Sequence, residues 1–218
     1  LDKQYTDLLQ DIIDNGIVKS DRTGTGTKSV FGRQIRHKMS DGFPLLTTKK
    51  LHWDSIVSEL LWFLSGSTDI RDLWSRNCKI WDGDCYRNYY NKECIPPHDH
   101  TLNKEQFIEK IKTNDEFGKK WGDLGPIYGK QWRNWERIDS QEGVYNIDQI
   151  KNLLDDLINN PDSRRLMVSA WNVGELGEMT LPPCHYGFQI YTRELTESER
   201  CDLLRNKAGV RTIPWDRM

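Results

Sequence analysis

The spacing of apolar residues along the 218-residue chain predicts amphipathic helices. Apolar side chains recur every three or four positions, so that one face of each helix can be buried. The clearest helices are expected at residues 5–13, 51–64 and 147–158. Gly16 stands where a left-handed cap would end the first helix, and Gly66 follows the second. Asn146 is the expected N-cap of the third.

Shorter patterns complete the predicted organisation. Strands are expected at 29–39, 166–171 and 185–192, and further helices at about 70–76, 105–112 and from 194 onward. Between residues 83 and 121, polar and aromatic residues replace aliphatic ones, which predicts a variable surface insertion. Helices and strands alternate with no repeat and no internal linker. The sequence therefore favours one domain over 1–218, of the α+β or α/β class.

Composition and charge exclude several classes of protein. Lys and Arg together number 31 against 33 for Asp and Glu, so no sequence-wide basic excess favours nucleic acid. Nine Trp, eight Tyr and six Phe favour a folded, water-soluble protein. No apolar run approaches the roughly 20 residues that span a bilayer, and the first residues lack the pattern of a signal peptide. No membrane association is expected, and a cytoplasmic location is the default expectation.

Cysteine and histidine placement argues against a metal site. The five cysteines form no CxxC pair, which disfavours a disulfide framework and a zinc ribbon. His98 and His100 are the only closely spaced histidines, and they lie in a Pro-rich stretch that we interpret as a solvated loop. We therefore expect no metal.

Two cationic features suggest anion binding. Gly24-Thr25-Gly26 could bring backbone N–H groups close to a phosphate, although it matches neither the P-loop nor the dinucleotide fingerprint. Arg22 lies beside it and could grip a phosphate bidentately. Arg164 and Arg165 form a second cationic pair, for which a solvated surface is the alternative interpretation.

Cys184 is the candidate nucleophile, with a small packing residue as the alternative. A reactive thiol needs a lowered pKa, which nearby cations can supply. His185 is adjacent, but neighbouring side chains on a strand point to opposite faces. The pair therefore disfavours a Cys/His hydrolase.

Nine blocks of sequence, taken in order, resemble the thymidylate synthase family. The blocks are SDRTGTG (20–26), FP (43–44), TTK (47–49), ELLWFL (59–64), IWD (80–82), GDLGPIYGKQWR (122–133), DSRR (162–165), SAWN (169–172) and PCH (183–185). The likeness runs from the first predicted helix to about Thr192, with an interruption at the 83–121 segment. The resemblance implies an α+β fold in which helices flank a mixed β-sheet and two copies dimerise through the sheet face.

The resemblance also implies a reaction, the reductive methylation of dUMP to dTMP. The co-substrate would be 5,10-methylenetetrahydrofolate, which leaves as dihydrofolate. Cys184 matches the nucleophile that adds to C6 of the uracil ring. Glu59 matches the carboxylate that handles protons through ordered water, and Tyr128 and His185 match its supporting groups. Burial among apolar neighbours would raise the pKa of Glu59 toward a useful range.

The remaining implied residues bind the substrates. Arg22 would grip the dUMP phosphate, together with Arg164 and Arg165 contributed across the interface of a homodimer. Trp81 and its neighbour Ile80 would pack beside the folate. A final pair, Lys49 and His52, matches positions near the folate tail, with exposed surface as the alternative.

The sequence departs from the family pattern in two places. Many members have a second Trp shortly after the one matched by Trp81, whereas this chain reads Asp82-Gly83-Asp84, so part of the folate wall is built differently. The family's later Gln-Arg-Ser block, its pterin-binding Asp and its uracil-reading Asn are not found in the 218 residues. We therefore expect an N-terminal portion of the domain.

Two alternative functions follow from these departures. A dUMP or dCMP hydroxymethylase would share the fold and the covalent intermediate, and would release it with water instead of hydride. A fragment that only binds nucleotide or a partner is the second alternative. The bulk of Trp81 favours methylation, because an aromatic side chain over the reactive methylene keeps water away.

Overall fold

The computed structural model describes residues 1–20, 24–94, 101–141 and 143–206. The described residues fall into two compact units, Leu1–Trp53 and the part of the chain from Asp54 onward. Each unit is described by itself below. None of the described helices is both long and apolar enough to cross a membrane.

The first unit is built on helix α1 (Asp2–Asn15), which confirms the first predicted helix. Gly16 is not the left-handed cap that its position suggested: its φ of −72° and ψ of 145° are extended. The chain leaves the helix straight into strand β1 (Ile17–Lys19), which pairs antiparallel with β2 (Thr27–Ser29). The strand expected at 29–39 is thus wrong beyond Ser29, and a short 3₁₀ turn follows at Met39–Asp41.

The second unit carries most of the helices. They are α2 (Trp53–Ser65), α3 (Ile70–Trp74), α4 (Asp82–Glu93), α5 (Lys104–Thr113), α6 (Asp115–Trp121), α7 (Tyr128–Arg133), α8 (Gln149–Asn159) and α9 (Glu197–Asn206). Gly66 follows α2 with a φ of 82°, as expected of a terminating glycine. The N-cap of α8 is Asp148, whose side chain accepts from the Lys151 N–H, while Asn146 belongs to a strand.

The expected mixed sheet is replaced, within the described residues, by small antiparallel pairs. Strand β3 (Trp135–Asp139) pairs with β4 (Gly143–Ile147), and β5 (Met167–Ser169) pairs with β6 (Gly187–Gln189). Three residues of sequence separate β3 from β4, and a connection that short imposes antiparallel pairing. The Ala170 N–H also donates to the Tyr186 carbonyl at 2.7 Å, which extends the contact between the β5 and β6 segments. The described residues are consistent with the α+β class, with helices and small two-stranded sheets instead of one mixed sheet.

The 83–121 segment is not the surface excursion that its composition suggested. Its helices α4, α5 and α6 pack on one another through aromatic side chains, and Phe107 is fully buried between Tyr89 and Phe117. The Tyr89 ring stacks on Phe107 with centroids 4.8 Å apart and meets Trp121 edge-on at 5.0 Å. The many polar residues of this segment predicted a surface, but its aromatic side chains form a core.

Candidate active site

Helix α2 and the turn before α4 bring the carboxyl group of Glu59 into contact with the indole ring of Trp81. Glu59 and Phe63 are one helical turn apart on α2, and the Nε1–H of buried Trp81 donates to Glu59 Oε1 at 2.8 Å. Burial raises the pKa of Glu59 above its ordinary value, and the Trp81 hydrogen bond opposes that shift only in part. Glu59 therefore holds a proton more readily than an exposed glutamate does.

Tyr128 begins helix α7 and holds the segment that contains the candidate nucleophile. Its hydroxyl oxygen accepts the backbone N–H of Cys184 at 2.7 Å and that of His185 at 3.3 Å. The imidazole ring of His185 also stacks on the Tyr128 ring, with centroids 4.5 Å apart. Since the oxygen accepts both bonds, the hydroxyl proton remains available for donation.

Burial also sets the charge of these two aromatic groups. It raises the pKa of Tyr128, against the effect of the two backbone hydrogen bonds, and it lowers the pKa of His185. At neutral pH the site therefore contains a neutral phenol and a neutral imidazole. Both are suited to relaying protons without adding a charge.

Two glycines allow the backbone segments around Tyr128 to approach closely. A Cβ at Gly129 would lie 2.2 Å from the Ser67 carbonyl oxygen, so only glycine lets α7 start this close to the end of α2. Gly125 has a φ of 78°, and a Cβ there would lie 2.4 Å from the Glu178 carbonyl oxygen. The Thr180 N–H donates to the Leu124 carbonyl at 2.9 Å, which fixes the chain shortly before Cys184.

A buried polar cluster anchors the other end of α7. The side chain of Gln131 is fully buried, and its Nε2 donates to the Pro126 carbonyl at 2.7 Å and to Glu175 Oε2 at 2.5 Å. Lys130 pairs with the other oxygen of Glu175 at 2.5 Å. Helix α7 is only six residues long, so these bonds, rather than helix propensity, hold Tyr128 in place.

These groups surround a cavity of about 280 Å³ in the second unit. Its lining consists of Glu59, Phe63, Ile80, Trp81, Asp84, Tyr128, Leu181, Pro182, Cys184 and His185. The expectation that Cys184 and His185 face opposite ways is wrong, because both residues precede β6 instead of lying within it. Cys184 is exposed, as a nucleophile that meets a ligand must be. An accessible thiol, a desolvated carboxyl group and an apolar wall thus share one cavity.

Comparison with known proteins identifies the family of this chain. The family model described as thymidylate synthase matches residues 3–207. The chain belongs to the thymidylate synthase family. It is 47% identical over 189 residues to a thymidylate synthase from Sinorhizobium fredii (strain NBRC 101917 / NGR234), an alignment that covers 86% of this chain. The same alignment covers 59% of the relative, so the chain spans under two thirds of the length of that protein.

Two of the three arginines expected at the dUMP phosphate, Arg164 and Arg165, do not line the Cys184 cavity. Arg164 and Arg165 are exposed at the start of β5, and Arg164 lines a separate cleft of about 580 Å³ beside residues 189–194. Arg22 lies outside the described residues.

The other predicted positions are divided between the two units. Ile80 lines the cavity next to Trp81. Lys49 and His52 belong to the first unit, where both are exposed. His98 and His100 lie outside the described residues, and within those that are described no group of three or more acidic, Cys or His residues could hold a metal ion.

Sequence reasoning missed four cavity residues. Phe63 stands inside the 59–64 block, and Pro182 directly precedes the 183–185 block, so position alone could have indicated both. Leu181 carried no signal of its own. Asp84 appeared only as a departure from the family pattern, although its place one turn after Trp81 on the same side of α4 indicates a shared wall.

Proposed function

We propose that the protein containing this chain catalyses the reductive methylation of dUMP to dTMP with 5,10-methylenetetrahydrofolate. The observation that carries the proposal is the shared cavity of Cys184, Glu59, Tyr128 and Trp81. Family membership supports the same reaction. The roles assigned below belong to the proposal.

The thiolate of Cys184 adds to C6 of the uracil ring, and the ring electrons move to form an enolate at C5 and O4. C5 then attacks the one-carbon iminium of the folate, which forms a carbon–carbon bond. Loss of the C5 proton and cleavage of the bond to the folate nitrogen leave an exocyclic methylene. Hydride from the tetrahydrofolate reduces this methylene to methyl, the thiolate leaves, and dihydrofolate is released.

Glu59 suits the proton transfers in this sequence. Because its pKa is raised, the carboxyl group keeps its proton to a higher pH than an ordinary glutamate, and it can therefore act as both proton donor and proton acceptor. The free hydroxyl proton of Tyr128 and the neutral ring of His185 extend the same proton path. Trp81 is buried in the cavity wall and excludes the water that would give a hydroxymethyl product.

Substrate binding completes the proposal. Arg22 grips the phosphate of dUMP, and Arg164 and Arg165 reach the same phosphate from the second subunit of a homodimer formed through the sheet face. The exposure of both arginines, and the location of Arg164 away from the Cys184 cavity, support a role directed at a neighbouring subunit. Ile80 and Trp81 pack beside the folate, and Lys49 and His52 face its anionic tail.

Incubation of the intact protein with dUMP and labelled methylenetetrahydrofolate tests the reaction. We expect labelled dTMP and dihydrofolate in equal amounts. Cys184→Ser should abolish product, whereas Cys201→Ser, which alters an exposed cysteine on α9, should not. A hydroxymethyl product would instead indicate the hydroxymethylase, and binding of dUMP without turnover would indicate a binding protein.

A further inference from the structure

The segment from Ala170 to Tyr186 is a loop that carries Cys184 near its end. Strands β5 and β6 pair directly before and after it, and at its base the Ala170 N–H donates to the Tyr186 carbonyl at 2.7 Å. We call residues 170–186 the nucleophile loop. Its regular structure is a short 3₁₀ turn at Leu176–Glu178, so contacts outside the loop must fix the course of its backbone.

Three attachments join the nucleophile loop to α7 and to the turn before α7. One is the backbone bond from Thr180 to the Leu124 carbonyl, and a second is the bond from the Cys184 N–H to the Tyr128 hydroxyl. The side chain of Glu175 forms the third attachment. It is the charged one of the three.

The carboxylate of Glu175 accepts hydrogen bonds at both oxygens. Lys130 Nζ donates to Oε1 at 2.5 Å, while Gln131 Nε2 and Asn172 Nδ2 donate to Oε2 at 2.5 and 3.1 Å. Burial acts to raise the pKa of Glu175, but the bonds from Lys130 and Gln131 outweigh it and hold the pKa below its ordinary value. The group is therefore ionised at neutral pH, and its hydrogen bonds are of the stronger, charge-assisted kind.

The partners of Glu175 lie on the same short helix as Tyr128. Lys130 and Gln131 follow Tyr128 by two and three residues on α7. A loop that is attached to a helix at one point can rotate about that point, and a second attachment prevents the rotation. Glu175 and Tyr128 thus hold the nucleophile loop to α7 on both sides of its 3₁₀ turn.

We propose that Glu175 is a positioning residue for the nucleophile, because its carboxylate ties the nucleophile loop to α7 and so sets where the Cys184 thiol meets the substrate ring. Glu175 does not line the Cys184 cavity, so it acts through the placement of Cys184. This inference rests on the proposed function.

A simpler role for Glu175 is to stabilise the fold, because its side chain is only 17% exposed and is paired with Lys130. The two roles differ in what they do to the folded protein. A carboxylate that only stabilises the fold leaves the chemistry of the folded protein unchanged. A positioning carboxylate determines how fast the thiol adds to a bound ring, whereas a small reagent in solution can reach an exposed thiol in many orientations.

The test measures exchange of the C5 hydrogen of dUMP in D₂O, with the intact protein and without folate. The Cys184 thiolate adds to C6, C5 takes a deuteron from solvent and then loses its original proton, and the thiolate leaves. Glu175→Ala should slow this exchange by about a hundredfold, the effect of displacing a reacting group by roughly 1 Å. Glu175→Gln keeps the shape of the side chain and an oxygen for Gln131, so it should slow exchange by less.

Alkylation of Cys184 by iodoacetamide, followed by mass spectrometry, reports the reactivity of the same thiol without a bound ring. Glu175→Ala should not slow it. Asp69→Ala is the matched control, because Asp69 pairs with Arg71 at 2.6 Å and has a similarly buried side chain, 23% exposed, at the start of α3. In urea denaturation both alanine variants should lose stability, but Asp69→Ala should keep the wild-type exchange rate.

If Glu175→Ala exchanged as fast as Asp69→Ala, or if alkylation of Cys184 slowed in parallel with exchange, Glu175 would not act by positioning. If the wild-type protein shows neither exchange nor dTMP formation, the proposed function and the inference fall together. If it makes dTMP while Glu175→Ala keeps the wild-type exchange rate, the inference alone is wrong.

Discussion

At the residue scale, the buried carboxyl group of Glu59 makes stability depend on pH. Its pKa is raised in the folded protein, mainly by desolvation, so the folded state keeps this proton at pH values where the unfolded chain has lost it. The contribution of Glu59 to stability is therefore greatest below its ordinary pKa of 4.5, and it falls as pH rises through the interval up to the raised pKa. Above that interval, the ionised carboxylate of Glu59 destabilises the folded state.

Glu59→Gln should remove this destabilisation while keeping an oxygen for the Trp81 N–H to donate to. Thermal denaturation should show the variant gaining stability over the wild type as the pH rises from below 4.5 to neutral. Turnover should fall sharply at every pH, because the amide cannot exchange the proton. An equal difference in Tm at both pH values would show that desolvation of Glu59 contributes nothing to stability.

The Tyr128 hydroxyl is a second residue-scale determinant, because it accepts two backbone N–H groups from the nucleophile segment. Tyr128→Phe should cost about 1–3 kcal/mol of unfolding free energy, because both N–H groups lose an acceptor and each such bond contributes about 0.5–1.5 kcal/mol. Its effect on turnover should be far larger, since Cys184 loses its fixed position as well as a proton donor.

Tyr86→Phe serves as the control for this variant. The Tyr86 hydroxyl donates to the Leu102 carbonyl at 3.0 Å, and Tyr86 does not line the Cys184 cavity. Urea denaturation should show a loss of stability for both variants, smaller for Tyr86→Phe because it removes one hydrogen bond instead of two, while only Tyr128→Phe should reduce turnover. Parallel losses of turnover in the two variants would mean that Tyr128 acts through general stability alone.

At the element scale, the length of a helix or strand decided whether its spacing of apolar residues could predict it. Helices α1, α2 and α8 each run three turns or more, so the period of their apolar residues is visible in the sequence. Helix α7 has six residues and forms because its surroundings hold it, and strands β5 and β6 have three residues each, too few for alternation to show. Their positions depend on contacts distant in sequence.

Helix α4 is long enough to predict but has an ambiguous buried face. Its buried residues, Asp82, Cys85 and Tyr89, follow helical spacing, yet two of the three are polar or amphipathic. Asp82 can be buried because Trp74 Nε1 donates to its Oδ1 at 2.9 Å. The local sequence pattern does not predict that hydrogen bond. Composition therefore predicted a surface segment where the structure has a core.

The aromatic core of α4 to α6 makes a prediction at the same scale. Phe107→Ala should reduce the free energy of unfolding by about 3–5 kcal/mol, the range for emptying a fully buried aromatic site. Phe31→Ala removes the same ring from a position that is 99% exposed and should have little effect. If urea denaturation showed equally small losses of unfolding free energy for both variants, residues 83–121 would be a solvated insertion after all.

At the scale of the whole molecule, the candidate site gathers residues from distant parts of one chain. The sequence blocks that carry Glu59, Trp81, Tyr128 and Cys184 meet in one cavity because α2, the α4 turn, α7 and the segment before β6 pack together. Resemblance indicated these residues, but the hydrogen bonds among them depend on tertiary structure. Arg164 and Arg165 do not line this cavity, and we propose that they act on the site of a second copy of the chain.

A mixing experiment tests whether the site is shared between subunits. Cys184→Ser and the double variant Arg164→Ala/Arg165→Ala should each be nearly inactive alone. If the arginines cross the interface, a heterodimer has one site with an intact cysteine and arginines from its partner, so a random equal mixture regains about a quarter of the wild-type sites. Steady-state dTMP formation, measured after subunit exchange, reports the gain.

Mixing Cys184→Ser with Glu59→Gln is the matched control. Both residues line the same cavity of one chain, so each site of that heterodimer keeps one defect and no activity should return. Recovery in the arginine mixture together with none in this control would place the two arginines on the opposite subunit from the nucleophile. If neither mixture recovers although exchange has occurred, Arg164 and Arg165 do not act across the interface, and the proposed homodimeric site is wrong.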